Sequence, residues 1–279
     1  PGAATPQCLL RTADLFPDST GLAADATGRL WLSGSKGNDR LLGTAAMTED
    51  SLTLSPAATG QRKSLESSAL RSTPQGLLFR AYTSETGHEP WLSDGTAAGT
   101  RMIKDLNTVP NLNVSVPSSF AAGFTAVGGQ SYFLAGTPAP ALWRTDGTAA
   151  GTGIASPLLP GDTDYNLTPS FQALPTGHLL YVPLASQLGV MAFTESGGLH
   201  PVSPAETMDA RFLDASSNRG WLELVTPSSG GELWLTDGTP AGTQIVSDIR
   251  PGAKSSGIGL PLAVDGRLFF AANDGSHGR

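Results

Sequence analysis

The hydrophobic residues of this chain fall in many short runs that are separated by turn-forming residues. The runs either alternate apolar and polar positions or are apolar throughout, as in Leu142-Trp143-Arg144 and Leu233-Trp234-Leu235. Such runs are typical of β-strands with one or both faces covered. No segment shows the periodicity of a helix over a helix-length span. The pattern therefore predicts an all-β protein.

One pattern recurs along the chain: ELWLTDGTPAGTQIVSD at 232–248 has near copies at 89–105 and 141–157. In each copy a strand-like run is followed by Asp-Gly, which favours a reversal because the carboxylate can accept backbone N–H bonds and Gly tolerates a positive φ. A second strand-like run follows, so each copy predicts one β-hairpin. The predicted turn residues are Asp94, Gly95, Thr96, Asp146, Gly147, Thr148, Asp237, Gly238 and Thr239.

A tryptophan occupies one place in every copy of the pattern, at Trp91, Trp143 and Trp234. A large side chain that recurs with the repeat is typical of packing between neighbouring repeats. We therefore expect these side chains in the core.

The recurring pattern Glu-Leu-Trp-x-x-Asp-Gly-Thr-x-x-Gly-Thr resembles the ELWxxDGT repeat family of bacterial, mostly secreted or envelope proteins. The match covers three places in the chain, with Ala141 in place of the Glu in one copy and Pro90 in place of the Leu in another. The resemblance implies a repeat β architecture and an exported location, secreted or in the cell envelope. It brings no catalytic residues with it.

Repeat units of similar length cover the chain at 15–56, 57–105, 106–157, 158–204 and 205–248, and a sixth unit joins 249–279 to 1–14. Each unit reads as four short strands. A ring closed by both termini removes open sheet edges, which is how a β-propeller is built. The sequence thus predicts a single six-bladed β-propeller whose last blade is shared between the termini. Because 1–7 is a poor third strand for that blade, a propeller of more blades and an open array are the alternatives.

Composition narrows the choice of partners. The chain has 24 acidic and 17 basic residues, a formal charge of −7 and no basic stripe, which argues against nucleic acid as a partner. No apolar run approaches the roughly 18 residues that a membrane span needs. Cys8 is the only cysteine, which rules out an intramolecular disulfide.

Motifs for catalysis and metal binding are sparse. There is no nucleophile elbow, zinc signature, paired Cys motif or phosphate-binding loop, and the four histidines are scattered over different units. Asp162, Asp164 and Asn166 resemble the start of a calcium loop, but Leu167 replaces the expected Gly and Ala173 the expected Glu. We expect a polar turn there and predict no cofactor, with calcium as the one metal hypothesis.

Propeller topology indicates where a ligand would bind. The joins between units and the loops between second and third strands share one face, and the Asp-Gly-Thr turns lie on the other. Because the loop face varies more, it is the better binding surface. The candidate binding residues on it are His88, Glu89, Asn111, Asn113, Asp162, Asp164, Tyr165, Asn166, Asp274 and His277.

Three functions fit these observations. The leading prediction is a non-enzymatic, exported binding or scaffolding propeller that presents its loop face to a protein or glycan. The first alternative is a polysaccharide-acting hydrolase or lyase with carboxylates at the channel mouth, supplied by Asp14, Asp18, Asp162, Asp164 and Asp209. The second is a structural unit of a surface fibre or larger assembly, which would self-assemble.

Overall fold

The structure is a computed structural model. It describes residues 18–24, 29–36, 39–47, 52–58, 64–108, 116–136, 140–157, 170–182, 189–214, 219–265 and 267–278. All regular elements within these ranges are β-strands. No helix among the described residues is long and apolar enough to cross a membrane.

Consecutive strands form four-stranded sheets in the first half of the chain. The first sheet consists of β1 (Asp18–Ala24), β2 (Leu30–Lys36), β3 (Asp39–Met47) and β4 (Leu52–Ala58). The second consists of β5 (Ser64–Thr73), β6 (Gly76–Thr83), β7 (Gly87–Ser93) and β8 (Arg101–Met102). The third consists of β9 (Ala122–Val127), β10 (Gln130–Gly136), β11 (Pro140–Thr145) and β12 (Gly153–Pro157).

The second half of the chain repeats this arrangement. The fourth sheet consists of β13 (Ser170–Ala173), β14 (Leu179–Val182), β15 (Met191–Thr194) and β16 (Gly198–Pro201). The fifth consists of β17 (Asp209–Asp214), β18 (Gly220–Thr226), β19 (Gly230–Thr236) and β20 (Gln244–Ser247). The sixth has two described strands, β21 (Gly259–Val264) and β22 (Arg267–Ala271).

Each sheet is a meander in which neighbours in sequence are neighbours in space. The predicted all-β fold with four-stranded, propeller-type blades is confirmed. The closure of the sixth unit by 1–14 lies outside the described residues, so the number of blades and the sharing of the last blade between the termini stay predictions.

The chain divides into two compact units, and the boundary passes through the third sheet. Unit 1 comprises Pro1–Phe124, Phe133–Ala139 and Arg144–Gly153. Unit 2 comprises Thr125–Tyr132, Pro140–Trp143 and Ile154–Arg279. Unit 1 therefore contains the first two sheets, and unit 2 contains the fourth, fifth and sixth.

Two of the motif tryptophans pack in clusters that join neighbouring sheets, as predicted. In unit 1, Trp91 of the second sheet shares a buried cluster with Trp31 of the first. In unit 2, Trp234 of the fifth sheet packs against a buried cluster that includes Leu174 and Leu180 of the fourth. Trp143 is buried as well. Packing between blades thus forms the core within each unit.

The three Asp-Gly-Thr turns have one hydrogen-bond network. In the first, Asp94 Oδ1 accepts both the backbone N–H and the hydroxyl of Thr96 at 2.8 Å, and the Thr96 hydroxyl oxygen accepts the Gly99 N–H at 2.9 Å. The same bonds recur around Asp146 and Asp237. These donors hold the pKa values of all three carboxyl groups below their usual range. In all three turns the carboxylate is thus bonded within its own turn.

The first glycine of each turn has a positive φ, at 98° for Gly95, 89° for Gly147 and 91° for Gly238. The second glycine is required for a different reason. A Cβ at Gly99, Gly151 or Gly242 would lie 2.0 to 2.3 Å from the carboxyl group of the motif Asp. The hydrogen-bonded Asp therefore occupies the space that any larger residue would need.

A buried hydroxyl pair closes the base of each turn. The residue before the Asp and the last Thr of the motif lie 2.6 Å apart at their side-chain oxygens, in the pairs Ser93–Thr100, Thr145–Thr152 and Thr236–Thr243. The second member of each pair also donates its hydroxyl to the backbone carbonyl of the Thr that follows Asp-Gly. The bonds run from Thr100 to Thr96, from Thr152 to Thr148 and from Thr243 to Thr239. The hairpin base is thus cross-linked by side chains as well as by the strand ladder.

We expect Gly151→Ala to destabilise the protein by about 1–3 kcal/mol, because the added methyl group overlaps the Asp146 carboxylate and must displace it. Gly153→Ala is the matched control, since a Cβ there meets nothing within 4 Å. Chemical denaturation of the two variants measures the difference. Equal midpoints for both variants would contradict the steric role of Gly151.

Candidate functional site

A buried glutamate ties the third strand of the second sheet to the join that follows. Glu89 in β7 has no exposed surface. Its Oε2 accepts the Leu106 N–H at 3.0 Å, and its Oε1 accepts the Ser119 N–H at 2.9 Å. The Ser119 hydroxyl also donates to the His88 carbonyl. The Ser119 carbonyl accepts the N–H of Gly136 at the end of β10. The carboxylate, proposed from the sequence as a ligand contact, is instead used within the fold.

The fifth sheet contains a second copy of this clamp. Glu232 in β19 is fully buried and accepts the N–H groups of Ile249 and Arg250. The Gly231 carbonyl accepts both the N–H and the hydroxyl of Ser256, each at 3.0 Å. The Ser256 carbonyl in turn accepts the Asn273 N–H. Among the described residues the two clamps share the carbonyl before the Glu, which accepts the N–H and hydroxyl of a Ser. They differ in one donor, because Glu89 accepts the Ser119 N–H and Glu232 accepts that of Arg250.

Burial raises the pKa values of the two glutamates, whereas their hydrogen bonds lower them. Burial raises the pKa of Glu89 to about 7, the donors from Ser119 and Leu106 oppose that effect, and the nearby Asp105 raises the pKa further. Burial likewise raises the pKa of Glu232. Removal from water is the larger effect at both positions.

An aromatic cluster lies directly beside the first clamp. The His88 ring packs on Tyr82 with a centroid separation of 4.9 Å and stacks on Phe120 at 5.2 Å, with 21° between the latter two ring planes. Phe120 is 37% exposed, and the other two side chains are half-buried. Burial, and then the charge of Arg80, lower the pKa of His88. A lowered pKa favours the neutral imidazole, in which one ring nitrogen is a donor and the other an acceptor.

Phe120 has the left-handed backbone conformation, with φ of 52°. In the second clamp the equivalent residue, which follows Ser256, is Gly257 with φ of 61°. A residue with a Cβ is strained in this region, whereas glycine is not. His88 likewise stands where the second clamp has Gly231. The first clamp thus carries rings at two positions where the second clamp has glycine, and at one of them both residues have a positive φ.

Asp274 and His277 form an exposed pair in the loop after β22. Asp274 Oδ1 accepts the N–H groups of Ser276 and His277 at 2.8 Å, and Oδ2 lies 2.6 Å from His277 Nδ1. These contacts lower the pKa of Asp274 and raise that of His277. The equivalent loops have the same turn, with Thr83 accepting the Thr86 N–H and Thr226 accepting the Ser229 N–H. The Asp274 carboxylate is therefore engaged in shaping its own loop.

The remaining candidate residues are not brought together by the described structure. Asn111, Asn113, Asp162, Asp164, Tyr165 and Asn166 lie outside the described residues, as do Cys8 and Asp14. Asp209 is exposed and accepts the N–H of its neighbour Ala210. Among the described residues, no group of three His, Cys, Asp or Glu side chains is arranged to hold a metal ion.

A cleft of about 680 Å³ lies in unit 1 on the side of the Asp94 turn, opposite to the face that the sequence favours for binding. Arg29 crosses it, with its guanidinium 5.8 Å from the centre of the Trp31 ring and one N–H donated to the Asp94 carbonyl at 2.8 Å. The turn between β5 and β6 forms part of its wall. The arginine here bridges the first and second sheets.

Sequence reasoning missed the serine pairs that complete the clamps. The Ser118 and Ser255 hydroxyl oxygens accept the N–H groups of His88 and Gly231, respectively. Each Ser-Ser pair ends three residues before the first strand of the next unit, at Ala122 and Gly259. That repeated spacing was the available signal. It was hidden because the joins preceding the two pairs differ in length.

Comparisons with known proteins show a fold but no family. No protein-family model and no curated protein matches the chain. A solved structure from a study of two prolyl endopeptidases matches with a TM-score of 0.53 and 16% identity over 90% of this chain and 37% of that one. TolB from Acinetobacter baumannii matches with a TM-score of 0.43 and 13% identity over 77% and 55% of the two chains.

A puromycin hydrolase S511A mutant complexed with PGG matches with a TM-score of 0.47 and 14% identity, over 90% of this chain and 43% of that one. The chain thus spans about 37 to 55% of the length of these structures. At such identities, the prolyl endopeptidase match supports the propeller fold alone.

We expect the stability of the protein to fall as pH rises from about 4.5 to about 7, relative to the Glu89→Gln variant. The folded state keeps the Glu89 proton up to pH about 7, whereas the unfolded state releases it near the ordinary carboxyl pKa. The stabilisation that the protonated Glu89 gives is therefore complete below pH 4.5 and is lost above pH about 7. Chemical denaturation at several pH values measures it, and parallel pH profiles for the two proteins would contradict it.

Proposed function

We propose that this protein is an exported, non-enzymatic binding propeller that recognises a glycan through the aromatic cluster of Tyr82, His88 and Phe120. The observation that carries the proposal is the strained Phe120, which places an exposed ring where the equivalent clamp has Gly257. Unusual backbone conformations concentrate at binding and catalytic sites, because strain is retained where it serves a function.

The chemistry of the cluster suits a sugar. A pyranose has an apolar C–H face and a rim of hydroxyl groups, so it binds best to an aromatic ring flanked by hydrogen-bonding atoms. Phe120 supplies the exposed ring, while the Tyr82 hydroxyl and the neutral His88 imidazole supply donors and acceptors. A protein partner is the alternative occupant of the same surface.

Export rests on the resemblance to the ELWxxDGT family, and calcium rests on Asp162, Asp164 and Asn166. Both remain proposals. The hydrolase or lyase alternative is not favoured by the described carboxylates, since Asp209 caps its own backbone and Glu89 is bonded within the fold.

A glycan array probed with the purified chain, in calcium and in chelator, tests the function. We expect a selective hit that the Phe120→Gly variant weakens about tenfold, because the stacking ring is lost. This variant relieves the positive-φ strain but also loses the packing of the ring on His88, so its folding is checked by circular dichroism and chemical denaturation alongside the array. Lower affinity in a folded variant is then attributed to the missing ring.

Phe269→Ala is the matched control, since it removes an exposed ring from a different sheet. A blank array in both buffers, or a hit that Phe120→Gly leaves unchanged, would overturn the glycan proposal. Loss of the hit in chelator alone would support a calcium role for the Asp162–Asn166 segment.

A further inference from the structure

Arg80 places a positive charge beside the aromatic cluster. Arg80 and Tyr82 lie two residues apart on β6, so their side chains share one face of the second sheet. Tyr82 pairs with His88 of β7 across the same sheet. Burial, and then the charge of Arg80, lower the pKa of the His88 ring, which shows that this charge acts on the cluster. The cation of the surface is therefore Arg80, while His88 favours its neutral form.

The fifth sheet carries the opposite charge at the equivalent position. Arg80 and Glu223 each lie three residues before the Thr that begins the turn between the second and third strands. Their cross-strand partners on the first strands are Glu66 and Arg211, so the order of the charges is reversed between the two sheets. Glu223 is buried and accepts a hydrogen bond from Arg211. The strand next to the clamp glutamate thus carries a cation in the second sheet and an anion in the fifth.

This reversal of charge coincides with the presence of the rings. The first clamp has His88 and Phe120 where the second has glycine. It also has Arg80 beside the clamp where the second has Glu223. Two copies of one backbone arrangement therefore differ together in their rings and in the sign of a neighbouring charge. A cation beside an exposed aromatic ring suits a sugar that bears a carboxylate.

The arginine side chain is well suited to bind a carboxylate. Its planar guanidinium has five N–H donors in a fixed fork, so an arginine that bonds within its own sheet can also donate to a ligand. Arg80 is half-buried, and burial lowers its pKa, so its surroundings disfavour the charged form. A carboxylate on the ligand offsets that cost, because opposite charges attract more strongly where water is excluded.

We propose that the surface formed by Arg80, Tyr82, His88 and Phe120 binds an acidic glycan. A uronic acid carboxylate of the glycan pairs with Arg80, and the apolar face of the same or a neighbouring sugar unit stacks on Phe120. This inference rests on the proposed glycan-binding function and names the class of glycan that the site takes.

The test is an array on which each uronic acid glycan is printed beside its carboxyl methyl ester, probed with the purified chain. We expect hits among the acids that weaken about tenfold on esterification, because the ester keeps the sugar and loses the charge. The Arg80→Gln variant should bind the acid as weakly as the wild type binds the ester, and it should bind the ester as the wild type does. Since esterification changes the ligand alone, the comparison of acid with ester holds even where Arg80→Gln fails to fold.

Arg211→Gln is the matched control, since it removes the arginine of the reversed charge pair in the fifth sheet. Circular dichroism checks the folding of both variants. Equal binding of acids and esters, or an acidic hit that Arg80→Gln leaves unchanged or Arg211→Gln weakens equally, would overturn the inference. A hit that still depends on Phe120 would in those cases leave the proposed function standing. A blank array would remove the proposed function, and this inference with it.

Discussion

The structure depends on a carboxylate that is removed from water and then surrounded by backbone donors. Glu89 and Glu232 each accept N–H groups from the join that leads to the next blade. A buried carboxyl group is tolerated only when hydrogen-bond partners satisfy its oxygens. The join therefore has to return to the glutamate, and the next sheet starts from a fixed point. In this way one side chain per clamp fixes where the join returns to the sheet.

The hairpin turns have a different physical basis, because their bonds are local. Asp94 bonds Thr96, and Thr96 bonds Gly99, so the network closes within six residues of sequence. A local network of this kind can be inferred from residue types and spacing, so the sequence alone could indicate a hairpin at each turn. The packing of Trp91 against Trp31 was predictable too, since a large apolar residue that recurs with the repeat has to meet its neighbour.

The glutamate clamp and the aromatic cluster could not be predicted, because both depend on contacts between distant parts of the chain. Glu89 and Ser119 are separated by 30 residues, and the sequence alone gave Glu89 the appearance of a loop-face ligand. The stacking of His88 on Phe120 was equally hidden, because it depends on how the join ends. Residue type indicates that a carboxylate or an aromatic ring has a role. Only the path of the backbone decides whether that role is within the fold or toward a ligand.

The candidate binding site is a consequence of the clamp itself. The His88 carbonyl accepts the N–H groups of Ser119 and Phe120, so the bonds that hold the join also fix the backbone that carries both rings. The second clamp keeps its hydrogen bonds with Gly231 and Gly257 at the two equivalent places, where no ring is present. Stability therefore does not require the aromatic residues at these positions. The positive φ of Phe120, at a place where the second clamp has glycine, is therefore the observation on which the proposed binding role rests.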